Sequence, residues 1–146
     1  LVNENMHGEG FDLSPHSLEY TKKTLEKFNL EEKYTPNKRN IISEPIKVAA
    51  SFITCIEVLE HLENPQEFLN SLSKMLKPGG FGLISAALTA PNADHIYLYE
   101  EPEEVADQLG KANLDIIEYI HDPAYEPRKP SDSIPRNVAF IVTPKG

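Results

Sequence analysis

Two near-continuous apolar runs frame this chain. Ser51 to Ile56 (SFITCI) and Phe81 to Leu88 (FGLISAAL) show no alternation of apolar with charged residues. Runs of this length without a polar face belong to strands that are covered on both sides of a sheet. Between them Pro65 opens a helical stripe, with Phe68, Leu69, Leu72, Met75 and Leu76 at i, i+1, i+4, i+7 and i+8. Gly79-Gly80 is the expected stop of that helix, because glycine adopts the left-handed conformation of a helix end at little cost. Strand, helix and strand with both strands buried means a parallel crossover, and therefore an α/β sheet.

The same grammar continues on either side. Gly10-Phe11-Asp12-Leu13 is short and apolar and runs into Ser14-Pro15, an N-cap followed by a first helical residue. The helix expected there, Pro15 to Asn29, carries Leu18, Leu25 and Phe28 on one stripe. Leu30 to Lys47 holds Pro36, Pro45 and many polar residues and reads as loop, with Asn40-Ile41-Ile42 its one candidate for a short strand. Glu101 to Lys111 reads as a helix with acids in its first turn and Lys111 in its last, which complements the macrodipole. Leu114 to His121 and Asn137 to Thr143 are final strands with no helix between them. They are expected to pair antiparallel, one of them inserting beside an earlier strand. The expectation is a single domain over residues 1–146: a Rossmann-like, mainly parallel sheet with helices on both faces and a C-terminal antiparallel hairpin.

Charge narrows the partners. With 14 Lys+Arg against 23 Asp+Glu the formal charge is −9, which disfavours a grip on nucleic acid or anionic membrane, since both rest on Lys and Arg. RNA as a substrate is disfavoured on the same ground. The single cysteine, Cys55, cannot form an internal disulfide, so no oxidising compartment is implied and a cytoplasmic setting is expected. No apolar run approaches the roughly 18 to 20 residues of a membrane span. The sequence sets no oligomeric state.

In an open parallel sheet, ligands sit beyond the carboxyl ends of the strands. Asp12 ends the first apolar run and can either accept both hydroxyls of a ribose or cap the helix that follows. The second strand end is more informative: Cys55-Ile56-Glu57-Val58-Leu59-Glu60-His61-Leu62, followed by Leu76-Lys77-Pro78-Gly79-Gly80-Phe81. With GFDLSP at 10–15, FITCIEVLEHL at 52–62 and LKPGGFGLIS at 76–85, the chain resembles the Rossmann-like (class I) S-adenosylmethionine-dependent methyltransferases, in their type 11/12 small-molecule group. The resemblance implies methyl transfer from S-adenosylmethionine to a small-molecule acceptor, O-methylation being favoured. By the same resemblance Asp12 holds the cofactor ribose, Leu13 touches the adenine side, and Cys55, Ile56 and Glu57 line the methionine part. The Lys77-Pro78-Gly79-Gly80 turn is structural in the family.

The chain also departs from that pattern. The family's glycine-rich loop after a first strand has no counterpart in Leu1 to Glu9 (LVNENMHGE), and Gly8 and Gly10 do not supply it. Glu44 is the one nearby candidate for the acid that meets the adenine amine. Measured against the family, the chain is expected to lack a first βα unit of roughly 30 residues. That gap supports a competing reading as a non-catalytic Rossmann-like interaction module or a cofactor-incompetent fragment.

Glu57, Glu60 and His61 stand at i, i+3 and i+4, one face of a helix if the segment is helical. Two carboxylates and an imidazole, with His95 or Asp94 as a fourth donor, make a mixed oxygen and nitrogen set for a divalent metal ion. A subset of the family resembled uses a Glu-x-x-Glu-His set and a later His in this way. Without a metal, His61 or His95 serves as the general base that removes the acceptor proton. His7, His16 and His121 read as surface histidines, and Cys55 as a buried small hydrophobe. Tyr97 and Tyr99 either pack against the acceptor or cover the core. Arg128, Lys129 and Arg136 either meet an anionic substrate or decorate a solvated loop.

Overall fold

The computed structural model describes residues 6–44, 46, 49–123 and 134–146. The chain divides into two compact units, Leu1–Pro45 and Ile46–Gly146.

The first unit is a βαβ arrangement of β1 (Gly8–Asp12), α1 (Pro15–Phe28) and β2 (Tyr34–Lys38). β1 and β2 run parallel, in register from Gly8 opposite Tyr34 to Asp12 opposite Lys38. Ser14 caps α1 by accepting the Ser17 N–H at 3.2 Å, with Pro15 at the first helical position. Asn29 ends the helix in the left-handed conformation, φ 54°. Phe28, expected on the inward stripe, is instead exposed, and α1 has no fully buried residue. β2 lies in the stretch expected to be loop. Its pairing with β1 needs only backbone groups, and Pro36 is tolerated in a strand with a single described neighbour. Asn40-Ile41-Ile42 is a turn rather than a strand, closed by the Ile42 N–H on Asn40 Oδ1 at 2.9 Å. The Tyr34 ring lies across Gly8 and Gly10: a Cβ on Gly8 would come within 2.6 Å of it, and one on Gly10 would meet the hydroxyl.

The second unit holds β3 (Ala50–Cys55), a short 3₁₀ turn (Leu59–His61), α2 (Pro65–Ser73), β4 (Leu76–Leu88), α3 (Pro102–Lys111), β5 (Leu114–Pro123) and β6 (Arg136–Pro144). The strand order is β3-β4-β6-β5, so the last strand inserts beside β4 as expected. β3 and β4 are parallel, whereas β6 is antiparallel to both of its neighbours. Asn64 caps α2 on the Glu67 N–H, and the Glu104 carboxylate accepts the N–H groups of Glu100 and Glu101 at the start of α3.

α2 stops earlier than the glycine pair implies. It ends at Ser73, and Leu76 already belongs to β4. Lys77-Pro78-Gly79-Gly80 bulges within the strand pairing: Ala50 faces Leu76, but Phe52 faces Phe81. Gly79 has φ 74°, and a Cβ on Gly80 would meet three backbone oxygens at 3.0–3.2 Å. The glycines are therefore required by the bulge rather than by the helix end. Met75 and Leu76 remain buried, which is why they mimic a continued helical stripe.

The core gathers Leu69 and Leu72 of α2, Val105 and Leu109 of α3, and Ile84, Leu88, Val138, Phe140 and Val142 of the sheet. Along β6 the buried residues alternate with the exposed Asn137 and Ile141, so one face of that strand is packed. No helix among the described residues is long and apolar enough to cross a membrane.

Candidate active site

The site is built where β3 ends. Cys55 closes the strand and is 4% exposed; burial first, and then the charge of Glu60, pushes its thiol pKa up to about 12. It packs as the small hydrophobe expected, and its side chain offers no surface to a ligand. Ile56 is exposed and Glu57 half-buried. Glu57 then turns the chain with φ 53°, in the left-handed region. A side chain from β4 holds it there: the Glu57 N–H donates to Ser85 Oγ at 3.1 Å, and the Ser85 hydroxyl donates to Glu57 Oε1 at 2.8 Å. Ser85 was not among the residues singled out from the sequence. Its signal is a lone hydroxyl in the middle of FGLISAAL.

The following segment is one 3₁₀ turn, Leu59–His61, not the helix that spacing implies. Glu57 therefore does not join Glu60 and His61 on one face. The third partner comes from the loop after β4. Leu88 bridges to Tyr99, and the Glu60 carbonyl accepts the N–H groups of Ile96 and Tyr97 at 2.8 and 3.0 Å. These bonds dock the loop on the 3₁₀ turn and bring in His95. Glu60, His61 and His95 each present a donor atom within 4.8 Å of the others. The two imidazoles meet edge to face at 4.9 Å.

Each ring is oriented by a backbone carbonyl. His61 Nδ1 lies 2.9 Å from Asp94 O, and His95 Nδ1 lies 2.6 Å from Ala90 O. A carbonyl only accepts, so both Nδ1 atoms carry the proton and both Nε2 lone pairs are left for a proton or a metal. Asp94 thus acts through its carbonyl, while its carboxylate stands 3.7 Å from His61 Nδ1.

Glu60 is the anomaly of the group. It is 1% exposed, and neither carboxylate oxygen makes a hydrogen bond. Burial raises its pKa above the usual carboxylate range. The Glu57 charge adds to this, while the backbone amides of Glu60 and Ala87 and the His61 ring oppose it. Buried carboxylates ordinarily find a partner or a cation. An orphaned carboxylate beside two imidazole lone pairs fits a divalent ion, with Glu60, His61 and His95 as ligands.

The remaining candidates are placed as follows. Asp12 ends β1, is exposed, and accepts the Ser14 N–H through Oδ1 at 2.8 Å in a turn that leads into the Ser14 cap of α1. Its other lone pairs remain compatible with a ribose. Leu13 is 57% exposed. Glu44 stands 3.8 Å from Arg39. Gly8 and Gly10 lie within β1 against Tyr34 and form no cofactor loop. His7, His16 and His121 are exposed, as expected. Tyr99 covers the core, donating to Gln108 Oε1 at 2.8 Å, while Gln108 donates to the half-buried Tyr97 at 3.3 Å. Arg136 binds the Glu100 carbonyl and the Glu101 carboxylate. Arg128 and Lys129 lie outside the described residues.

Comparison with known proteins follows the same lines. The family described as "Methyltransferase domain" matches residues 2–119. A ubiquinone biosynthesis O-methyltransferase of Coxiella burnetii is 27% identical over 112 residues, 77% of this chain and 47% of its own length. The chain thus spans about half the length of the curated relatives it matches. Among solved structures, an S-adenosylmethionine-dependent methyltransferase from Clostridium acetobutylicum superposes with a TM-score of 0.72 at 13% identity, covering 96% of this chain and 76% of that one. The [4+2]-cyclase SpnF superposes with a TM-score of 0.79 at 12% identity, covering 97% and 67%. At such identities the structures share the fold, and the cyclase shows that the fold alone does not set the reaction.

Proposed function

The chain belongs to the methyltransferase-domain family, and on that premise we propose that it transfers a methyl group from S-adenosylmethionine to a hydroxyl oxygen of a small acceptor. The observation that carries the reading is the Glu60, His61 and His95 cluster at the carboxyl edge of the β3–β4 sheet. Ligands of open α/β sheets bind at that edge. S-adenosylmethionine supplies the methyl group as a sulfonium, whose C–S bond breaks as the acceptor oxygen bonds to the methyl carbon, leaving a neutral thioether.

This chain's residues have two tasks: to align the acceptor and to take its proton. Alignment of the acceptor falls to the half-buried Glu57 and the exposed Ile56, which border the strand end; Asp12 and Leu13, in the first unit, are the expected contacts of the cofactor's ribose and adenine. Cys55 lines the strand end through its backbone only. The acceptor proton goes to Nε2 of His61 or His95, which the carbonyls of Asp94 and Ala90 keep free. A divalent ion held by Glu60, His61 and His95 would instead occupy those Nε2 lone pairs and, in place of a histidine base, act as a Lewis acid that lowers the hydroxyl pKa. A small-molecule partner and a cytoplasmic setting complete the reading.

The test is transfer of a carbon-13 methyl group from labelled S-adenosylmethionine to a panel of small hydroxylated acceptors, catechol among them, read by NMR. A labelled O-methyl product is expected. Its rate should fall about 10²- to 10⁴-fold in His61→Ala or His95→Ala, and chelation should slow it if the ion is bound. No label in any acceptor would contradict the reading and favour a non-catalytic module. A rate unchanged by chelator and by Glu60→Gln would remove the metal and leave the histidine base.

A further inference from the structure

Gln108 lies on the buried side of α3 and is 9% exposed. A buried primary amide is costly unless both of its ends are bonded. Here both are. Oε1 accepts the Tyr99 hydroxyl at 2.8 Å, and Nε2 donates to the Tyr97 hydroxyl at 3.3 Å. Burial raises the Tyr99 hydroxyl pKa, so that group stays a donor. The Gln108 carbonyl also accepts Gln66 Nε2 of α2 at 3.1 Å. α2 and α3 are thereby joined to each other and, through the Gln108 side chain, to two tyrosines of the loop that carries His95.

Both tyrosines are held at their backbones as well. The Tyr97 N–H donates to the Glu60 carbonyl at 3.0 Å, and the Tyr99 carbonyl accepts the Thr89 N–H at 2.8 Å. Thr89 follows β4 with φ 50°. A β-branched residue in the left-handed region is strained and persists only where surrounding contacts over-determine it. Those contacts come from Tyr99, which is almost fully buried and bridges to Leu88. The alternate residues Ile96 and Leu98 are exposed, so over residues 96–99 the tyrosines supply the side-chain anchorage of the loop. His95 stands two residues before Tyr97, and its ring is oriented from inside the same loop, Nδ1 on the Ala90 carbonyl at 2.6 Å.

We propose that Gln108 is a positioning residue for His95: its amide holds the hydroxyls of Tyr97 and Tyr99 and so sets the loop over residues 89–100 with the His95 ring on the Ala90 carbonyl, beside Glu60 and His61. The orienting role rests on the bonds above; its use in methyl transfer rests on the function proposed for His95. A side chain that only fills the core is replaceable, without consequence for the ring, by methionine, which matches glutamine in length and in helix propensity.

The test is the ring tautomer of His95 in the full chain labelled with nitrogen-15, in chelator and at a pH where the imidazoles are neutral. Long-range proton–nitrogen correlation reads which ring nitrogen carries the proton. In the unaltered protein His95 should hold it on Nδ1, because the Ala90 carbonyl fixes that tautomer. Gln108→Met should shift His95 toward the Nε2–H form or an average of the two, with the exposed His16 unchanged as internal control. Tyr97→Phe removes one hydroxyl from a half-buried ring and should move His95 in the same direction, and it carries the test if Gln108→Met does not fold. In methyl transfer both variants should lower kcat, by up to about 100-fold, with the KM for S-adenosylmethionine unchanged. Three results would overturn the proposal: Nδ1–H retained in the folded variants, no Nδ1–H in the unaltered protein, or a normal kcat in a variant whose tautomer has shifted. The tautomer experiment contains no S-adenosylmethionine, so an inactive chain contradicts the methyl-transfer reading and not the positioning of the ring.

Discussion

A carboxylate that is 1% exposed and makes no hydrogen bond, as in Glu60, costs a fold on the order of 1–3 kcal/mol, and more when ionised. An apolar residue of similar length removes that cost. In chelator, Glu60→Met should therefore stabilise the protein by about 1–3 kcal/mol, read as a rise in thermal midpoint. It should also abolish any further rise produced by added divalent ion. A lower midpoint would mean that the carboxylate already has a partner in the protein. This residue was legible in the sequence as a ligand candidate but not as a buried one. The spacing of Glu57, Glu60 and His61 is that of a helix, whereas the chain leaves β3 through a left-handed residue and a single 3₁₀ turn. Local spacing carries no trace of the Ser85 clamp 28 residues away that makes the left-handed turn tenable. His95 was legible for the opposite reason. It lies just after a strand whose carboxyl end is at the ligand edge, and the topology alone brings it there.

Among the elements, those with a continuous apolar run or a helix-start signal were legible: β1, α1, β3, α2, β4, α3 and the terminal pair. β2 was not, because Tyr34–Lys38 contains Pro36 and no apolar alternation, and it is a strand only through its parallel pairing with β1. The end of α2 was misplaced because buried Met75 and Leu76 continue the helical stripe after the helix has stopped. The bulge that follows makes a prediction about two glycines in the same unit. A Cβ on Gly80 would press on the backbone oxygens of Lys77, Ala50 and Ser51, none of which can move without the strand. A Cβ on Gly110, inside α3, meets nothing within 4 Å. Gly80→Ala should lower stability by about 1–3 kcal/mol, whereas Gly110→Ala should raise it by roughly 0.5–1 kcal/mol. Denaturant midpoints measure both. Equal effects would mean that the bulge is not a rigid part of the β3–β4 pairing.

At the scale of the whole molecule, the charge of −9 disfavours anionic partners and identifies none. The strand and helix order identified the fold class, and the EVLEHL and LKPGG segments identified the family. The docked loop and the burial of Glu60 were beyond reach, because both depend on segments distant in the chain that meet after β3 and β4, through the backbone bonds of Ile96 and Tyr97 to the Glu60 carbonyl. The chain spans about half the length of its curated relatives and carries no glycine loop in β1, yet it holds Asp12, the Glu57 turn and the histidine cluster. Binding of the cofactor is therefore the point on which the account stands. Titration calorimetry with S-adenosylhomocysteine tests it most directly. The account predicts 1:1 binding that weakens about tenfold or more in Asp12→Ala, as expected for loss of paired bonds from a carboxylate to the ribose hydroxyls. A folded protein that gives no heat and no S-adenosylhomocysteine-induced rise in thermal midpoint would contradict it.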